Sequence, residues 1–203
     1  MQRRNFLQNL VASASTLSVA SVPYGVAHLL APAIAAEPSR HIRPPGALKD
    51  ESSFVDACIG CGICGEICPP KCILFDKSIG GKKVNLPYID PPDKACTLCM
   101  KCVEVCPTEA LTEVKREEVD MGLAQIDRTA CYPWVDRGVC GACVAVCPLG
   151  RKAIVFEFAD MYRPIVQEDG CVGCGLCVEV CPQPSLPIKI VERSKGSVAA
   201  HNV

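Results

Sequence analysis

The residues best equipped for chemistry are cysteines, and their spacing repeats. Three compact runs read Cys58-x2-Cys61-x2-Cys64-x3-Cys68-Pro69, Cys96-x2-Cys99-x2-Cys102-x3-Cys106-Pro107 and Cys171-x2-Cys174-x2-Cys177-x3-Cys181-Pro182. A fourth is stretched: Cys131-x8-Cys140-x2-Cys143-x3-Cys147-Pro148. Together they hold 16 of the 17 cysteines, leaving Cys72 over. Cysteines two residues apart let a short loop wrap three corners of an iron–sulfur cube, with the loop N–H groups aimed at the cluster sulfurs. Gly60, Gly62, Gly65, Gly141, Gly173 and Gly175 inside these loops permit close backbone approach. The last cysteine of such a run ligates the neighbouring cluster in two-cluster ferredoxins. It is expected to open a short helix, with its proline in the first helical turn. Motifs therefore work in pairs. The pairs are either adjacent (first with second, third with fourth) or nested (first with fourth, second with third). All sixteen cysteines are ligands in both arrangements, and the expected cofactors are four [4Fe-4S] clusters.

Two other chemistries use cysteine at this density. A disulfide framework needs no threefold C-x2-C-x2-C run ending in Cys-Pro. Structural zinc wants two C-x2-C pairs about a dozen or more residues apart, whereas a tight triplet crowds three ligands on one loop. No Cys-x2-Cys pair is followed by His, so c-type haem attachment is absent. No P-loop, G-x-G-x-x-G or serine-nucleophile motif is present, so the chain reads as an electron-transfer protein rather than an enzyme, with no small-molecule substrate.

The elements that must position the loops are short. Ile73-Leu74-Phe75 reads as a strand, Gly80-Gly81 as a turn, and residues 84–89 as a returning strand interrupted at Pro87. Residues 153–158 and 164–166 make a second hairpin, and 186–191 a last strand. Residues 116–121 read as a charged connecting helix. The fold class expected is α+β, ferredoxin-like, with two bis-cluster ferredoxin units after an N-terminal signal segment. Motifs 1 and 2 fall in residues 51–112 and motifs 3 and 4 in 129–193, with a connector at 113–128 and a tail at 194–203. Aromatics are only 5% of the 203 residues, so the clusters must supply much of the folding energy.

Three residues near the motifs have a bland and a sharper reading. Trp134, in the insert of the third motif, either covers a cluster in a solvated loop or offers a docking surface. Cys72 reads as a spectator thiol. Lys101, inside the second motif, either raises its cluster's potential or points to water.

Residues 1–36 differ from the rest. Gln2-Arg3-Arg4-Asn5-Phe6-Leu7-Gln8 is a twin-arginine pattern, residues 10–36 carry no Asp, Glu, Lys or Arg, and Ala33-Ile34-Ala35 offers a cleavage site. The twin-arginine route carries folded proteins, which suits a cofactor built before export, so the expected location is the periplasm. Residues 37–50, with Pro38, Pro44, Pro45 and Gly46, read as a linker. Lys+Arg number 21 against 22 Asp+Glu, which argues against nucleic acid as partner. Four clusters at about −2 each make the loaded protein strongly anionic, so a basic docking surface is expected on its partner.

The chain resembles the ferredoxin-type proteins of the MauM/NapG family. The resemblance is carried by Arg3-Arg4-Asn5-Phe6-Leu7, Arg43-Pro44-Pro45-Gly46-Ala47, the four cysteine motifs, and Met121-Gly122-Leu123-Ala124 before the stretched third motif. It implies a periplasmic electron carrier. Its expected partners are a membrane-bound ferredoxin-like or quinol-oxidising protein and a periplasmic redox enzyme or cytochrome. Two alternatives are an iron–sulfur subunit of a molybdenum oxidoreductase and an assembly factor for methylamine dehydrogenase.

Overall fold

Every cysteine motif closes on about one turn of helix. The computed structural model describes residues 42–77, 84–158 and 162–193; the signal segment, the Gly80-Gly81 turn and the 194–203 tail lie outside the described residues. After α1 (Glu51–Ala57), the motif helices are α2 (Ile63–Ile67), α3 (Lys101–Glu104), α4 (Ala142–Val146) and α5 (Leu176–Glu179). They differ from the expectation in position. Each contains the third cysteine of its motif and ends one or two residues before the fourth. Cys68 and Cys147 are themselves the C-terminal caps, extended at ψ 115° and 119°. The cause is the proline that follows, which crowds the residue before it out of the helical region.

Three two-stranded antiparallel sheets hold these helices. β1 (Ile73–Phe75) pairs with β2 (Pro87–Ile89), Ile73 opposite Ile89. The returning strand is shorter than expected. Val84 and Asn85 form a turn, with Asn85 at φ 62°, and Pro87 opens the strand, where no ladder N–H is missed. β3 (Leu123–Ile126) pairs with β6 (Ile188–Val191), and β4 (Ile154–Phe158) with β5 (Tyr162–Val166). Residues 116–121 are turn and bend rather than helix. Buried Val119 and Met121 fix that stretch instead, and the Met121 N–H donates to Val172 O at 3.0 Å.

The segments expected as linker and connector have structural duties. In the first, Ile42 bridges to Ile89 and Ala47 to Leu111. In the second lies β3. The two form the same motif at different lengths, and a glycine opens each. Gly46 (φ +76°) and Gly122 (φ +129°) press against the carbonyls of Thr112 and Val191, where a β-carbon would collide.

One apolar cluster runs through the molecule, and cysteines are part of it. Phe54, Leu86, Ile89 and Leu98 are its largest fully buried side chains. Phe54 rides on α1, which Asp50 caps by accepting from the Ser53 N–H at 2.8 Å. The Arg43 guanidinium lies 4.8 Å above the Phe54 ring. Among the described residues no charged or polar side chain is fully buried, and no helix is long and apolar enough to cross a membrane.

Candidate metal centres

The fold gathers the sixteen motif cysteines into four sets of four. Cavity I is lined by Cys58, Cys61, Cys64 and Cys106. Cavity II is lined by Cys68, Cys96, Cys99 and Cys102, with Cys72 beside them. Cavity III has Cys147, Cys171, Cys174 and Cys177, and cavity IV has Cys131, Cys140, Cys143 and Cys181. Each set takes three cysteines from one motif and the last cysteine of its neighbour, so the pairing is adjacent. α2 packs on α3 and α4 on α5, which carries each last cysteine across to the other cavity.

Their walls suit an iron–sulfur cube. Apart from the cysteines, the lining is mainly apolar side chains and backbone: Phe54, Phe75 and Leu111 at cavity I, Leu149, Ile154 and Ile190 at cavity III. Backbone N–H groups reach the sulfurs. Leu98 donates to Cys96 Sγ at 3.3 Å and Ala124 to Cys171 Sγ at 3.4 Å. The tight turns need left-handed residues, supplied by Gly60 and Gly62 in the first motif and Gly173 and Gly175 in the fourth. In the second motif Leu98 (φ 56°) and Met100 (φ 63°) hold those places, a strained backbone for non-glycine residues. The seventeen cysteines are free, and among the described residues no three His, Cys, Asp or Glu side chains lie close enough for a single metal ion.

Burial sets the protonation of the iron-free thiols. It pushes Cys64 up to about 11, against a hydrogen bond from Gly65 that pulls the other way. It pushes Cys102, Cys143 and Cys174 to about 12. Cys131 and Cys177 are raised for the same reason. Iron ligation requires thiolates, so the positive iron core must displace these protons on loading. The cavities also lie in sequence through the molecule. Cys64 of cavity I adds to the charge felt by Cys102 of cavity II, and Cys143 of cavity IV to that felt by Cys177 of cavity III. Between cavities II and III the Cys96 N–H donates to Cys174 O at 3.0 Å, and the Ala95 N–H to the Glu179 carboxylate at 2.8 Å.

The other singled-out residues are also resolved. Lys101 is exposed on α3, where water screens its charge. Trp134 is half-buried; its Nε1–H donates to Pro164 O at 3.2 Å, and the Arg128 and Arg163 guanidinium groups lie over its ring at 4.3 and 5.3 Å from the centroid. It pins the insert to β5 and lines the groove between β3 and β5 rather than cavity IV. The place of Cys72 at cavity II is not visible in its spacing, because it depends on a left-handed turn at Lys71.

Comparison with known proteins agrees with this geometry. A 4Fe-4S dicluster domain matches residues 57–110 and again 95–151, and a further 4Fe-4S dicluster domain matches residues 124–187. These matches and the four cysteine sets define a ferredoxin-type protein that binds 4Fe-4S clusters. The chain is 32% identical to ferredoxin-type protein NapG of Escherichia coli (strain K12), over 98% of this chain and 90% of that one. It is 30% identical to the methylamine utilization ferredoxin-type protein MauM of Methylorubrum extorquens, over 96% and 90%, and 32% identical to MauM of Methylobacillus flagellatus, over 76% and 70%. The chain belongs to the NapG/MauM family of ferredoxin-type proteins, and is an iron–sulfur electron-transfer protein.

Proposed function

We propose that the chain is a periplasmic relay of single electrons, in which the sixteen motif cysteines hold four [4Fe-4S] clusters. One end serves a membrane quinol-linked partner and the other a periplasmic redox enzyme. The observation that carries this reading is the serial placement of cavities I to IV, with II and III joined by the Cys96–Cys174 backbone hydrogen bond. Each cluster, when bound, takes up and releases one electron. The residues of the chain hold the ligands in place, exclude water with apolar walls and direct N–H groups at the sulfurs. Exposed apolar side chains stand at both terminal cavities: Ile59 and Ile63 in the first motif, Val139 in the third. Such side chains favour partner contact.

The twin-arginine pattern at residues 2–8 supports the location, and the quinol-linked partner is what the resemblance to the MauM/NapG family implies. The name of the MauM relatives ties them to methylamine utilization, which makes an amine-oxidising system the second candidate.

The test is an anaerobic EPR-monitored redox titration with iron and acid-labile sulfide counted on the same sample. About sixteen irons, with midpoints near those of quinols, are the expected result. Midpoints confined to strongly negative potentials would reject the quinol link. Cell fractionation tests the location. Recovery with a pterin-containing large subunit would mark the chain as a molybdenum oxidoreductase subunit instead.

A further inference from the structure

Cavity II has a fifth sulfur. Cys72 lines it beside Cys68, Cys96, Cys99 and Cys102, and only 2% of the residue is exposed. Its Sγ lies 3.6 Å from Cys68 Sγ. The Cys96 sulfur lines the same cavity. These neighbours come from different motifs: Cys68 ends the first and Cys96 opens the second. The turn that returns Cys72 to them is local. Lys71 adopts a left-handed φ of 55°, and its N–H donates to Cys68 O at 3.1 Å.

Among the described residues no other cavity has a fifth cysteine. Four residues beyond the last cysteine of the other motifs stand Ala110, Arg151 and Ser185. Ala110 has no donor, and Arg151 and Ser185 are exposed. At cavity I the Thr108 hydroxyl lies 3.6 Å from the Cys106 sulfur, so a hydroxyl stands there rather than a buried thiol.

We propose that Cys72 is a positioning residue of cavity II that gives its S–H to the Cys68 sulfur, raising the reduction potential of the cluster bound there. The inference rests on the cavities holding [4Fe-4S] clusters, as argued above. A hydrogen bond to a ligand sulfur draws electron density from the iron and favours the form carrying the extra electron. The dry surroundings of cavity II strengthen that effect. The spectator role expected from the spacing is thereby replaced by a tuning one, and cavity II becomes a distinct step in the series.

The experiment compares full-length wild-type protein with Cys72→Ala and Cys72→Ser by anaerobic EPR-monitored redox titration, with iron and labile sulfide counted on every sample. The expected result is equal iron and sulfide in all three. In Cys72→Ala one midpoint moves to a more negative potential while the others stay. In Cys72→Ser, which keeps a donor, that midpoint stays nearer the wild-type value. Unmoved midpoints in Cys72→Ala, or a common shift of all of them, overturn the inference and leave the cluster reading standing. If Cys72→Ala loses iron, Cys72→Val fills the buried space without a donor and reads the same shift. Absence of labile sulfide from wild-type protein purified anaerobically overturns both the cluster reading and the inference.

Discussion

The two halves of the molecule are one design executed with different materials. In each, a glycine-led segment precedes a motif, a hairpin joins that motif to the next, and a returning segment pairs with the first. The second half spends backbone on this plan. Its hairpin has five residue pairs and its closing sheet, β3 with β6, has four. The first half has three pairs in its hairpin and closes with the single bridge Ala47–Leu111. It compensates with buried side chains: Phe54 on α1, and Cys64, Cys68, Cys72, Cys96 and Cys102, all at most 9% exposed. Of the motif 3 and 4 cysteines, only Cys171 and Cys174 are buried to that degree. The lesson is that a cluster and a strand ladder can substitute for one another as the thing that holds a half together.

Iron removal probes that comparison most forcefully. Chelation is expected to unfold residues 50–193, read as loss of the far-ultraviolet circular-dichroism signal, because the apolar core is thin without its clusters. Hydrogen exchange during the loss should open the first half before the β3–β6 and β4–β5 amides. Simultaneous opening of both halves would break the comparison.

Next in size are the paired glycines. Gly46→Ala and Gly122→Ala each force a β-carbon against a carbonyl, and Gly46 and Gly122 also have left-handed φ values. Each should cost about 1–3 kcal/mol, measured by thermal melting of the loaded protein. If the first half depends on its one bridge, Gly46→Ala is the more damaging of the two.

Trp134→Ala removes an anchor that only the second half possesses. A loss of about 1–2 kcal/mol is expected from the half-buried ring and its arginine contacts, with faster exchange confined to residues 131–140. Unchanged turnover with a partner would reject Trp134 as a docking residue.

The smallest effect concerns pH and should not distinguish the halves. Cys64 and Cys102 in the first half, and Cys143 and Cys174 in the second, are raised to about 11 or 12. Unfolded thiols titrate near 8.5. Any structure kept by the iron-free chain is therefore favoured by these groups below about pH 8.5, and that contribution is lost as pH rises through 11 to 12. Cluster loading runs oppositely: it releases protons, so reconstitution should tighten between about pH 7 and 9, followed by absorbance and by base uptake at constant pH.

The sixteen motif cysteines could be singled out because each motif is local, with its spacing written in consecutive residues. Their sorting into adjacent pairs was not, since it depends on how α2 meets α3 and α4 meets α5. β3 escaped notice because Leu123-Ala124-Gln125-Ile126 has little alternation and its partner stands at 188–191. The helices were placed on the wrong side of the fourth cysteine by reading Cys-Pro as a helix start, when the steric demand of proline falls on the residue before it. Cys72 could be counted but not located, because a left-handed lysine decides where it points.

The pairing of β3 with β6 also fixes a timetable. During synthesis the first half can close on itself once Thr112 has left the ribosome, since Ala47 meets Leu111 and Gly46 receives the Thr112 N–H. The second half waits for residues 188–191, almost the last of the described chain. Cavities III and IV thus acquire their closing strand only after Val191 has been made. A nascent chain stalled before Ile188 would have the first half ready for iron while the second remained open.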